Sequence, residues 1–110
     1  MAWTVTVLNE TVEEELDALP ADMLAYFVRV VSLIEDFGLP YVGMPHVRHL
    51  QDKLWEMRLK GRNGISRALY ITASGEQVVI VRVFVKKTQK TPAREIRLAL
   101  ERAREFEERK

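Results

Sequence analysis

The chain contains no cysteine, which excludes disulfide bridges, thiolate nucleophiles and cysteine-ligated zinc. Histidine is scarce too: His46 and His49 are the only side chains whose ordinary titration lies near neutral pH. Two imidazoles without a neighbouring carboxylate pair are too thin a ligand set for a metal site, so neither metal nor cofactor is expected. Long hydrophobic runs are also missing. The most apolar helical stretch, 23–37, is interrupted by Arg29, Glu35 and Asp36 and falls short of the ~20 residues a bilayer requires. The opening MAWTVTVLNE lacks both a basic region and a long apolar core, so it does not read as a secretory leader. A cytoplasmic location without a membrane partner is the expectation. Positive charge is nearly absent from the first part of the chain. Residues 1–47 hold Arg29 against eight acidic side chains, whereas residues 48–110 hold sixteen basic against eight acidic. The overall charge of +1 therefore conceals an acidic half and a strongly basic half.

What is present reads as one domain spanning 1–110, with 47% apolar and 30% charged residues. Residues 3–8 alternate Trp3, Val5 and Val7 against Thr4 and Thr6, the period of a strand. Asn9 caps a helix with Val12, Leu16 and Leu19 on one face. Pro20 breaks it and opens a second helix, whose apolar side holds Leu24, Phe27, Val31 and Ile34 and which Gly38 and Pro40 end. The two helices are expected to form an antiparallel hairpin. Residues 38–53 read as the longest loop. In 54–60, Trp55, Met57 and Leu59 face one way and Glu56, Arg58 and Lys60 the other. The Asn63-Gly64 pair marks a hairpin turn into a second strand over 65–73. Residues 78–85 are nearly continuous β-branched sequence, which predicts a strand covered on both faces. Thr91 and Pro92 cap and open a last helix that buries Ile96, Leu100, Ala103 and Phe106. The order predicts an α+β domain: a four-stranded antiparallel or mixed sheet, an N-terminal helical hairpin and a C-terminal helix.

The alternation carries a functional implication. If Trp55, Met57 and Leu59 cover the hairpin, Arg58 and Lys60 stand on the other face of the sheet. There Arg67 joins them from the next strand, with Lys86, Lys87 and Lys90 at the end of the third. Clustered positive charge repels itself, so a polyanion such as RNA is the expected partner. A solvated face with ion pairs to Glu56 and Glu76 is the alternative reading. No helix carries the polar recognition face of a DNA reader.

Three strings, LWEMR (54–58), GISRALY (64–70) and FVKKTQKTP (84–92), resemble the HigB-like, phage-derived branch of the RelE toxin superfamily. The last of them, followed by Glu95 and Ile96, is the most specific. The resemblance implies the microbial RNase (RelE-like) fold and the toxin of a type II toxin–antitoxin pair. It implies cleavage of messenger RNA in the ribosomal A site, without a metal, and a helix-turn-helix antitoxin as partner. It places Arg58, Arg67 and Lys87 around the scissile phosphate. His49 is the stronger of the two histidines as a further catalytic candidate. Arg48, Lys60, Arg62, Lys86, Lys90 and His46 are expected to contact RNA. Glu56 departs from the pattern, standing where relatives often carry a second basic residue. A non-catalytic domain of the same fold, binding an antitoxin or RNA, is the alternative.

Overall fold

The computed structural model describes residues 2–43, 46–86 and 90–109, with Lys86 as backbone alone. The elements are β1 (Thr4–Val7), α1 (Glu10–Asp17), α2 (Ala21–Phe37), β2 (Val47–Gln51), β3 (Leu54–Gly61), β4 (Gly64–Ala73), β5 (Gln77–Lys86) and α3 (Ala93–Glu108). The sheet order is β1-β5-β4-β3-β2, with β1 and β5 parallel and every other pair antiparallel. Among the described residues no helix is long and apolar enough to cross a membrane.

The α+β class matches the expectation, but the sheet has five strands where four were predicted. The extra strand is β2, inside the segment that reads as a loop. Only Val47 of its five residues is buried, so it carries almost no period of its own. Pairing with β3 makes it a strand, through Val47↔Met57, Arg48↔Glu56 and His49↔Trp55.

Local chemistry explains the helices. Asn9 accepts a hydrogen bond from the Val12 N–H at 3.1 Å, and Glu10 and Glu13 occupy the first turn of α1, at the positive end of its dipole. Gly38 ends α2 at φ 92°, where a side chain would be strained, and donates its N–H to Ile34.

Both faces of the sheet are covered. Met57, Leu59, Tyr70 and Ile80 pack with Val12, Phe27, Val30 and Ile34 beneath α1 and α2. On the other face Leu54, Leu69, Ile71, Val79 and Val81 pack on Ala99 and Ala103 of α3. Each such aliphatic side chain contributes about 1.5–3 kcal/mol on full burial. Trp55, expected in the core, stays 37% exposed because it sits beside the edge strand, its ring centroid 5.1 Å from that of His49. The β3–β4 hairpin is pressed against the start of α2. A Cβ on Gly61 would lie 2.6 Å from Met23 Cγ. Gly61→Ala is therefore expected to cost about 1–3 kcal/mol by overpacking, read as a lower urea midpoint at unchanged slope.

The same hairpin is pinned by a hydrogen bond. The Arg62 N–H donates to the Asp22 carboxylate at 2.5 Å, and this bond above all holds the Asp22 carboxyl below its usual range. Because the folded value lies below the unfolded one, the stabilisation is present above about pH 4 and is lost as pH falls through the folded value. Asp22→Asn should therefore lower the melting temperature at neutral pH, and the two curves should converge in acid. A thermal melt series from pH 7 to pH 2 checks this.

Candidate functional site

The register of β3 against β4 places Arg58 directly opposite Arg67, and opposed residues of an antiparallel pair project from the same face. Alternation puts Leu54, Glu56 and Lys60 on that face as well. Leu54 packs on α3, so this is the α3 side of the sheet. The two arginines share a face, as expected, but not an environment. Arg58 is half-buried, whereas Arg67 is only 3% exposed.

Glu56 organises the site. It is completely buried. Its carboxylate accepts from the Arg67 guanidinium and from the Thr91 hydroxyl, and pairs with Arg48 Nε at 3.3 Å. Two expectations are corrected here. Arg67 does not stand open in a basic hollow, because the Glu56 carboxylate takes it up as an internal ion pair. Thr91 does not cap α3, whose N-cap is Pro92 without a side-chain bond. Burial pulls the Arg67 guanidinium down from its ordinary range; the Glu56 carboxylate opposes this, and the Arg58 and Arg48 charges add to it. The group remains a cation at neutral pH.

Two guanidiniums, of Arg67 and Arg48, meet the one Glu56 carboxylate, and Arg58 stands opposite Arg67, so the site holds excess positive charge. Its unmet hydrogen-bonding capacity is localised. The Nε atoms of Arg58 and Arg67 are both buried and have no hydrogen-bond partner among the described residues. An unmade bond of this kind costs about 1–3 kcal/mol. Of the two arginines only the half-buried Arg58 has side-chain surface that an anionic oxygen could reach, where a charge-assisted bond would stabilise it.

The remaining candidates are dispersed. Arg48 is drawn in through Glu56. Lys60 is exposed on the same face, and Arg62 is exposed in the turn beyond it. Lys90 is exposed ahead of α3. Lys87 and the Lys86 side chain lie outside the described residues. Neither histidine joins the arginines. His49 pairs across the strands with Trp55, one residue out of phase with Arg48, so it projects from the opposite face. Its Nε2–H donates to the Asp52 carbonyl at 2.6 Å. His46 Nδ1 is hydrogen-bonded to the Tyr26 hydroxyl of α2 at 3.0 Å. The expectation that His49 adjoins Arg58 is corrected by this odd-even placement along β2.

Sequence reasoning missed the joint role of Glu56, Thr91 and Arg48. The signal within reach was the alternation itself, which puts an acid on the arginine face. A second network was also missed. Arg82 bridges Glu15 of α1 at 2.7 Å and Glu95 of α3 at 2.6 Å. Arg102 meets Glu15 at 2.9 Å and donates to the Val81 carbonyl, and Glu15 accepts from the Val83 N–H. These groups occupy the edge of β5 beyond Ile80, where β1 no longer pairs with it. Part of the acidic half is thereby balanced inside the molecule.

Comparison with known proteins gives a consistent frame. The family model "Phage derived protein Gp49-like (DUF891)" matches residues 14–104. The chain is similar to a chain of the archaeal RelE–RelB complex from Pyrococcus horikoshii OT3, with a TM-score of 0.54 and 20% identity, over 79% of this chain and 98% of that one. It is also similar to a mutant of the E. coli toxin RelE in the free state, in which two arginines are replaced by alanine. There the TM-score is 0.58 and the identity 16%, over 93% of this chain and 98% of that one. At these identities the likeness establishes the RelE fold. The search of curated proteins gave no match.

Proposed function

Because the chain belongs to the Gp49-like family of phage-derived proteins and has the RelE fold, we propose that it is the toxin of a type II toxin–antitoxin pair. In this reading it is an endoribonuclease that cleaves messenger RNA in the ribosomal A site. The observation that supports it is the pair of facing arginines, of which Arg58 is half-buried and makes no ion pair among the described residues. A substrate 2′-hydroxyl gives up its proton and attacks the adjacent phosphorus; the bond to the leaving 5′-oxygen breaks and that oxygen takes a proton. The product ends are a 2′,3′-cyclic phosphate and a 5′-hydroxyl. Negative charge grows on the non-bridging oxygens, and fixed cations stabilise it without reorganisation. Arg58 is the group that would touch those oxygens. Arg67 contributes its charge from behind, with Glu56 and Thr91 as positioning residues. Arg48, Lys60, Arg62 and the basic segment Lys86, Lys87 and Lys90 would hold the flanking phosphates.

A protein partner fits the same reading. The archaeal relative is described in complex with RelB, which supports an antitoxin for this chain; the HigB-like motifs favour a helix-turn-helix one.

One observation favours a second reading, a non-catalytic domain of the same fold. Glu56 places a carboxylate among the arginines and neutralises part of their charge. Mapping RNA 5′ ends in translating cells after induction separates the two. Cuts confined to translated frames support the nuclease. Soluble protein that neither arrests growth nor cuts RNA supports the binding domain.

A further inference from the structure

The end of the sheet away from the arginines carries a different surface. Gln77 opens β5 beside Thr4, whereas Arg67 pairs with Phe84, roughly 23 Å farther along that strand at ~3.3 Å per residue. At the Gln77 end, Gly38 stops α2 at φ 92° and turns the chain into a single 3₁₀ turn, Leu39–Tyr41. The Thr4 N–H donates to the Glu76 carbonyl at 3.1 Å, which ties the start of β1 to the turn between β4 and β5. These segments border an open hollow of about 520 Å³, lined by Trp3, Phe37 and Tyr41 together with Glu35, Asp36 and Glu76.

Three aromatic and three acidic side chains around one hollow are an unusual set. Phe37 is 63% exposed and Tyr41 83%, the highest values for large hydrophobic side chains among the described residues. The Trp3 indole lies against Gly38, where an added Cβ would sit 3.2 Å from Trp3 Cδ1. Glu35 and Asp36 are exposed and Glu76 is half-buried, and none of the three makes an ion pair among the described residues. No lysine or arginine among the described residues lines the hollow. Arg29, the single cation of residues 1–47, is set over the Tyr26 ring instead, 5.7 Å from its centroid. Phe37 and Tyr41 also line a neighbouring hollow of about 430 Å³ with Leu33 and Val42. The two rings are therefore common to an acidic hollow and to a mainly apolar one.

We propose that this surface docks a basic segment of a partner protein, with an arginine or lysine side chain in the acidic hollow and a nearby apolar side chain in the other. Aromatic rings attract a guanidinium or ammonium group, and the carboxylates supply the opposite charge. The methylene stem of either residue covers ring surface that water now meets. Charge complementarity selects this occupant, because an acidic or neutral segment would leave three carboxylates without a counter-charge. A second copy of this chain fits less well. It would have to present its own basic half, a head-to-tail contact that forms rings or open filaments rather than a closed pair. Docking at this end leaves the arginine face uncovered, so the inference stands apart from the nuclease reading.

The test is isothermal titration of the full chain, without RNA or ribosomes, so that a failure of messenger RNA cleavage leaves its result intact. The probes are the acetylated, amidated peptides RLRLR, RGRGR and ELELE, and spermidine. RLRLR is expected to bind saturably at one site, about tenfold tighter than RGRGR, and ELELE not at all. Tyr41→Ala should weaken RLRLR binding about fivefold or more, and Asp36→Asn about threefold. Both side chains are exposed, so neither change should move the melting temperature. Added salt should weaken the binding further. The proposal is overturned if RLRLR does not bind, or if both variants bind it as tightly as the parent. Equal binding of RGRGR or spermidine overturns it too, since that marks a diffuse acidic surface. Self-association of the chain in sedimentation velocity, lost in Tyr41→Ala, would give the surface to a second copy and overturn it as well.

Discussion

Replacing Glu56 by alanine is expected to remove about 3–5 kcal/mol of folding stability, the usual cost of leaving one half of a buried ion pair without the other. The reasoning is local. Glu56 has no solvent exposure and Arg67 almost none, so water cannot take over the carboxylate's role toward the guanidinium. Arg48 and Thr91 would lose the same acceptor. Against a total of about 5–15 kcal/mol for an ordinary domain, the loss brings the protein close to unfolding at growth temperature. Glu56→Gln keeps the shape and one acceptor oxygen, so its effect should be smaller. The double variant Glu56→Ala with Arg67→Ala should recover part of the loss, since it removes the stranded charge. Urea denaturation of the four proteins reads these values. A cost below about 1 kcal/mol for Glu56→Ala would mean that Arg67 is hydrated in solution and the pair is not an interior one.

The second large effect is on reactivity and leaves stability nearly untouched. Arg58→Ala is expected to slow cleavage of messenger RNA on programmed ribosomes by about 10²–10³-fold, the range for losing one preorganised donor at a developing anion. Arg58 makes no ion pair among the described residues, and its Nε is buried without a partner. Removing it therefore breaks no ion pair among the described residues, and the melting temperature should hold or rise slightly. Arg58→Lys retains the charge but not the planar fork, so it should recover only part of the rate. Arg67→Ala should behave differently, lowering stability and rate together, because Arg67 is built into the interior. The contrast between these neighbours is the discriminating result. A wild-type rate in Arg58→Ala would remove that residue from the reaction.

Much of this was legible before any coordinates. The periods of 54–60 and 65–73 place Arg58 and Arg67 on one face, and the chemistry of Asn9 and Gly38 sets two helix ends. The short edge strand β2 was not legible, since a single buried valine carries no pattern. Nor was the state of Arg67. Its ion pair depends on which element covers the sheet there, and local sequence says nothing of that.

By itself, then, the order of residues determined the α+β class, the faces of the strands and the separation of charge between the two halves, because each follows from spacing along the chain. Tertiary structure decided which cations remain available. Thr91 reaches Glu56 from 35 positions away, and Arg48 reaches it from a neighbouring strand. Only when these contacts close does one arginine become part of the interior while its neighbour is left with a donor to offer.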